Sequence, residues 1–235
     1  MAKNKYDIKT IVLKKIINEK EALAIVEEKK TSLFKKLFKK PSSYEVYVQS
    51  LTLYYECLLK ISGKYVADYF RKSTHVISVD SNVHEVVLGD GVFPIESKST
   101  LRKAFVGNRG KNKVGLPLEE HVFIEEEGEV TFDHHGREIK SQFTLNSKTV
   151  ENYPQQILES NSSTVKKPEI TYDAAVEQLK IILKKPLDQD IRNLNDEFTL
   201  NTISEVYIPI FEARLVGPNK KIEILRIDAV RNKIL

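Results

Sequence analysis

Apolar and polar residues alternate through much of the last thirty residues, Val206 to Leu235, which read VYIPIFEARLVGPNKKIEILRIDAVRNKIL. An apolar run, a break at Gly217-Pro218-Asn219, a second run through Ile222, Ile224 and Ile227, and a short third run predict an antiparallel hairpin with one buried face. A comparable stretch from Leu53 to Leu88 ends ISVDSNVHEVVL where the later one ends LRIDAVRNKIL. Ahead of each stretch the period changes from two to that of a helix. Residues 6–17 alternate loosely, as a strand or as the entry to the first helix. Asn18 followed by Glu21 forms a capping box, and Ala22, Ile25, Val26, Leu33, Phe34, Leu37 and Phe38 mark one face. Lys35, Lys36, Lys39 and Lys40 take the other face, and Pro41 is expected to end the helix. Strands are then expected at 44–50, 51–61, 64–70, 75–79 and 84–88, with a turn at Asp80-Ser81-Asn82. In the second half Thr171 caps a helix bearing Ala175, Leu179, Ile182 and Leu183, closed by Lys184-Lys185-Pro186.

Both helices thus end in Lys-Lys-Pro. The proline lies 39 residues before Asp80 in one case and 42 before Asp228 in the other. The pattern predicts an α+β protein of two α-β-β-β units with antiparallel meander sheets, plus a β-rich insertion. The first unit covers 1–95. A basic loop and β-hairpin insertion cover 96–145, with Gly107, Gly110, Gly115 and Pro117 in the loop and strands at 121–125, 129–133 and 138–143. Residues 146–168 are Ser/Asn/Gln-rich and read as a polar linker, and 169–235 form the second unit.

A helix followed by a meander whose last turn runs apolar–Asp–turn–apolar, as at Val79-Asp80 and Ile227-Asp228, resembles the PepSY-like and cystatin-like α-β-β-β modules. Asn82 and Asn232 stand where that turn usually carries glycine. The resemblance implies a module that binds, inhibits or scaffolds and that rarely carries a reaction.

Composition narrows the class. With 235 residues, 41% apolar and 30% charged, the chain has the balance of a globular protein with a real core. No run approaches the roughly 18 to 20 apolar residues that span a bilayer. Asp7 and the lack of a cleavage site argue against a signal peptide, so a cytoplasmic location is expected. The single Cys57 has no disulfide partner and reads as a buried thiol. Charge is uneven: residues 1–41 carry 12 Lys and 5 acids, and Lys98–Lys113 holds six cations and no acid. Six glutamates follow between Glu119 and Glu129, placed to neutralise cations across strands.

Candidate chemistry is sparse. Asp133-His134-His135 copies the triplet with which one phosphoesterase family holds two metal ions. One triplet supplies too few ligands, and Gly136 beside it marks a hairpin tip. Gly107-Asn108-Arg109-Gly110 resembles the GXXG loop of KH domains, but Gly115 and Pro117 exclude the helix that must follow. The aromatics Tyr44, Tyr47, Tyr54, Tyr55, Tyr65, Tyr69 and Phe70 suit strand packing better than a base-stacking platform. His75, His84 and His121 stand apart on strands. The amphipathic stretch 32–40 has the pattern of a membrane-surface helix, and packing on a sheet requires the same pattern.

The expectation is a non-catalytic adaptor with no cofactor and no metal, whose partner is another protein. The competing expectation is nucleic-acid or acidic-partner binding through Lys98, Arg102, Lys103, Arg109, Lys111 and Lys113, joined by Lys35, Lys36, Lys39 and Lys40.

Overall fold

The computed structural model describes residues 6–35, 40–95, 112–140, 143, 145–146, 148–184 and 190–235. Among the described residues the fold is α+β and mostly sheet, with three α-helices. In chain order the described elements are β1 (Ile8–Val12), α1 (Glu19–Lys29), β2 (Tyr47–Val79), β3 (Glu85–Leu88), β4 (Gly91–Pro94), β5 (Asn112–Phe132), β6 (Glu138–Ile139), α2 (Pro154–Ser160), β7 (Val165–Lys166), α3 (Tyr172–Leu183), β8 (Ile191–Val216), β9 (Ile222–Asp228) and β10 (Lys233–Ile234). The main sheet runs β10-β9-β8-β2-β5-β6, while among the described residues β3 and β4 pair only with each other. β1 lies parallel to β8 and β7 parallel to β2.

The C-terminal hairpin forms as its pattern predicts. β8 and β9 pair antiparallel from Val216↔Ile222 to Ile210↔Asp228. The turn Pro218–Lys220 is closed by Asn219 and Lys220 in left-handed conformations (φ 59° and 60°).

The chain divides into two compact units. The first comprises residues 1–64, 127–183 and 199–235. Its α1 begins with the predicted capping box: the Glu21 N–H donates to Asn18 Oδ1 (3.1 Å) and the Asn18 N–H to Glu21 Oε2 (2.7 Å). Ala22 and Val26 of α1 pack with Phe34, Phe211, Ala213, Leu215, Leu225 and Ile227, so the odd-numbered positions of β8 and β9 face the helix. A Cβ on Gly217 would sit 2.5 Å from the Phe34 ring, so glycine there lets Phe34 lie flat on the chain. On the opposite face of β8, Val206, Ile208 and Ile210 pack with Ile11, Leu13 and Leu58. Thr171 caps α3 as expected, its Oγ1 accepting from the Ala174 N–H (3.2 Å).

The second unit comprises residues 65–126 and 184–198. In β2, buried Tyr65, Ala67 and Tyr69 alternate with less buried Val66, Asp68 and Phe70, the signature of a two-faced strand. Tyr65 donates to Asp196 (3.0 Å), which also accepts from the Lys184 ammonium (2.9 Å). Phe70 stacks on His121, whose Nε2 lies 2.6 Å from Asp68. Glutamates of the acidic run pair with cations on neighbouring strands: Glu120 with Arg71 (2.7 Å) and His75, and Glu119 with Arg192. In the first unit Glu129 pairs with Lys60 (2.7 Å).

Four expectations need correction. First, α1 stops at Lys29, tightens into a 3-10 turn over Lys30–Phe34, and Lys35 is already extended (φ −63°, ψ 124°). The Ser32 hydroxyl donates to the Lys29 carbonyl (2.5 Å), a local bond that competes with the helical ladder. Second, the four strands expected between 44 and 79 are one 33-residue strand, β2. Ser62 and Gly63, taken for a break, occupy alternate faces of it, and Ser62 bonds Thr202 at 2.7 Å. Third, Gly115 and Pro117 belong to β5, which also joins the two strands expected at 121–125 and 129–133. Fourth, residues 146–168 carry α2 and β7, and Ile157 and Leu158 pack against Val12, Tyr55, Cys57 and Tyr207.

The expected duplication is not confirmed: among the described residues a helix, a long strand and two short strands follow in order at α1-β2-β3-β4 and at α3-β8-β9-β10. The pairing differs, since β9 folds back on β8 whereas β3 and β4 form their own ribbon.

Candidate functional site

Three sides of β9 meet three environments. Leu225 and Ile227 point to α1 and are buried. Ile222, Ile224, Arg226 and Asp228 alternate with them and share the other face. The third side is the outer edge, where β10 pairs only with Ile227 and Asp228. The Leu235 N–H donates to the Arg226 carbonyl (3.0 Å), so the backbone groups of Arg226 point outward. Residues two apart in a strand direct these groups the same way, so Ile224 and Ile222 also present N–H and C=O at the edge. Among the described residues no strand pairs there, and Ile222 (47%) and Ile224 (55%) are exposed.

Arg226 leads from that edge into a charged centre. Its guanidinium contacts Glu56 of β2 and lies 3.6 Å from Glu212 of β8, its cross-strand partner. Lys166 of β7 closes the group, 2.8 Å from Glu56 and 3.8 Å from Glu212, with its ammonium 4.4 Å from the centre of the Tyr54 ring. Two cations and two carboxylates cancel, which is what allows Glu56 to be 94% buried. Burial alone would raise the Glu56 carboxyl; the Lys166 hydrogen bond and the adjacent Arg226 outweigh it and hold Glu56 below the usual carboxylate range. Nε and Nη2 of Arg226 are shielded from solvent and lie against the carboxylates without hydrogen-bond geometry.

The DHH triplet borders the same centre. Asp133 follows β5, and His134, His135 and Gly136 form the hairpin tip, with Gly136 left-handed (φ 80°). Both oxygens of Asp133 are occupied: Oδ1 accepts from the His135 N–H (3.0 Å) and the Arg137 N–H (2.9 Å), and Oδ2 from the Arg137 guanidinium (2.8 Å). His134 Nδ1 lies 3.5 Å from Glu56. Burial pushes the His134 imidazole below its ordinary value, against the opposing pull of Glu56. His135 approaches Glu169 instead (3.2 Å). Among the described residues no group of three His, Cys, Asp or Glu side chains is placed to hold a metal ion.

A second aspartate repeats the Asp133 arrangement. Asp228 Oδ1 accepts from the Val230 and Arg231 N–H groups (both 2.9 Å), and Oδ2 from the Arg231 guanidinium (2.7 Å). Between the two Asp–Arg turns lies a cleft of about 400 Å³ floored by Leu58, Ile208 and Ile210.

Of the basic residues singled out by sequence, Lys98, Arg102, Lys103, Arg109, Lys111, Lys36 and Lys39 lie outside the described residues, as does the GXXG stretch. Lys35 and Lys40 are exposed in the first unit, and Lys113 is exposed on β5 in the second. Tyr65 and Tyr69 are buried, Tyr44 and Tyr47 exposed. Cys57 is fully buried beneath α2, and burial pushes its thiol far up.

Pattern reading passed over Glu56, Glu212, Arg226 and Lys166. The signal was charge inside apolar runs, Glu56 in Tyr55–Leu59, Glu212 and Arg214 in Ile208–Val216, and Glu223 and Arg226 in Ile222–Ile227, since a buried charge requires a partner. Among the described residues no helix is long and apolar enough to cross a membrane. Set beside protein-family models, curated proteins and solved structures, the chain matches none.

Proposed function

We propose that the chain is a non-catalytic binding protein that takes up an extended segment of another protein along the outer edge of β9. The observation that carries this reading is the unpaired edge at Ile222–Leu225 with two exposed isoleucines. Such an edge supplies main-chain donors and acceptors in register, and alternate side chains supply selectivity. Lys220 and Lys221 precede the strand, so the segment that fits has alternating apolar residues and an acidic flank at that end. A second copy of this chain fits poorly. Two-fold pairing centred on Glu223 sets that residue against its own copy, and like charges directly opposite destabilise a strand pair.

The non-catalytic part of the reading rests on the engagement of Glu56, Asp133 and Asp228 with cations, which leaves them acting as struts. In the same reading the two successions of helix, long strand and two short strands derive from one α-β-β-β module of the binding kind.

The test uses Ile224→Pro, which removes one outward N–H that no ladder bond needs and is therefore tolerated at an edge. Protein recovered with the tagged wild-type chain from its native cell, after nuclease treatment, is expected to protect the Ile222 and Ile224 amides from hydrogen exchange. The variant, with an unchanged unfolding midpoint, is expected to lose it. Equal recovery by the variant, or release by nuclease, overturns the proposal.

A further inference from the structure

The cleft between the two Asp–Arg turns carries an inference that goes beyond protein binding. Its acids and bases are not equally presented. The side chains of Glu56, Asp133 and Asp228 are only 7%, 12% and 1% exposed, while their arginine partners Arg226, Arg137 and Arg231 are 31%, 74% and 28% exposed. The carboxylates are therefore engaged by side-chain cations, at Asp133 and Asp228 together with backbone N–H groups, and the guanidinium groups are the more exposed partners. Lys140, exposed and also lining the cleft, adds a further positive charge. The buried carboxylates fix the arginines in place, so a ligand does not have to order them. The floor is different in kind: Leu58, Ile208 and Ile210 are apolar, and Phe143 packs on Arg231 (4.7 Å) at one side.

We infer that this cleft binds a small amphipathic anion, its oxyanion head group set among Arg137, Lys140 and Arg226 and its short apolar body on Leu58, Ile208 and Ile210. The volume of about 400 Å³ falls within the range of ligand pockets. Guanidinium groups are suited to a planar oxyanion because they meet it with two parallel N–H bonds.

The experiment is NMR titration of the full chain with sodium octanoate, following the Arg226 Nε–Hε signal and the methyl signals of Ile208 and Ile210. Saturable shifts at all three are expected at millimolar ligand. Octanol, without the charge, is expected to bind at least about tenfold more weakly, as is acetate, without the body. The variant Lys140→Gln, which changes one exposed side chain that holds none of the buried carboxylates, is expected to weaken octanoate several-fold while leaving the unfolding midpoint in place. Octyl phosphate in parallel shows whether the head group preferred is carboxylate or phosphate, and tight binding of either supports the site. Octanol equal to octanoate overturns the charged head, and inorganic phosphate equal to octyl phosphate overturns the apolar body. Octanoate that leaves Arg226 and Ile208 unmoved overturns the cleft itself.

Discussion

Glu56 shows how a single residue organises the polar face of the first unit. It sits in Tyr55-Glu56-Cys57-Leu58-Leu59, where every neighbour is buried, and it stays charged because Lys166 and Arg226 reach it from strands far away in sequence. Glu56→Gln keeps the shape and removes the charge, leaving Glu212 as the one carboxylate beside two half-buried cations. A loss of about 2 kcal/mol in denaturant unfolding is expected. Gly217 acts by what it lacks. Gly217→Ala forces the Phe34 ring off the chain and is expected to cost roughly 1–3 kcal/mol, partly recovered in the double variant Gly217→Ala/Phe34→Leu. The charge at Glu56 was legible in the sequence as an anomaly in an apolar run. Its partners were not, because nothing local links residue 56 to residues 166 and 226.

At the scale of elements, features fixed by near neighbours were the readable ones. The Asn18–Glu21 box, the Thr171 cap and the Gly-Pro-Asn turn are each closed within a few residues, and all three form. Asn18→Ala is expected to cost about 1 kcal/mol, seen as a lower unfolding midpoint with no change in the cooperativity slope. Features fixed by distant partners were misjudged. Where β2 begins and ends depends on the strands beside it, so Ser62 and Gly63 passed for a break. The end of α1 turned on one hydroxyl, that of Ser32, against a run of lysines that suits a helix terminus. The open edge of β9 was out of reach for the same reason: alternation shows that Ile222 and Ile224 share a face, and only the topology shows that no strand lies beside them.

For the whole molecule, the titrating groups of the charged centre act together. Glu56 and Asp133 are both held below the usual carboxylate range, Asp133 by the Arg137 and His135 bonds that outweigh its burial, and His134 is held below its usual imidazole value by burial. A group whose folded value is depressed stabilises the fold above its unfolded value and loses that contribution as pH falls. Stability is therefore expected to fall first as pH drops below about 6.5, where an unfolded His134 gains a proton that the folded one resists. It falls again below about 4.3, where the carboxylates follow. Urea midpoints measured across this range check the sign. Glu56→Gln should flatten the lower limb, and a midpoint that rises on acidification would exclude the linkage.

Cys57 has a practical consequence. It is the only thiol in the chain, it has no solvent-accessible surface, and burial together with the neighbouring Glu205 keeps it from ionising. Alkylating reagents can reach it only when β2 and α2 part, so the speed of its modification times that opening event. The protein carries its own stopwatch for core exposure, readable by mass without any added label.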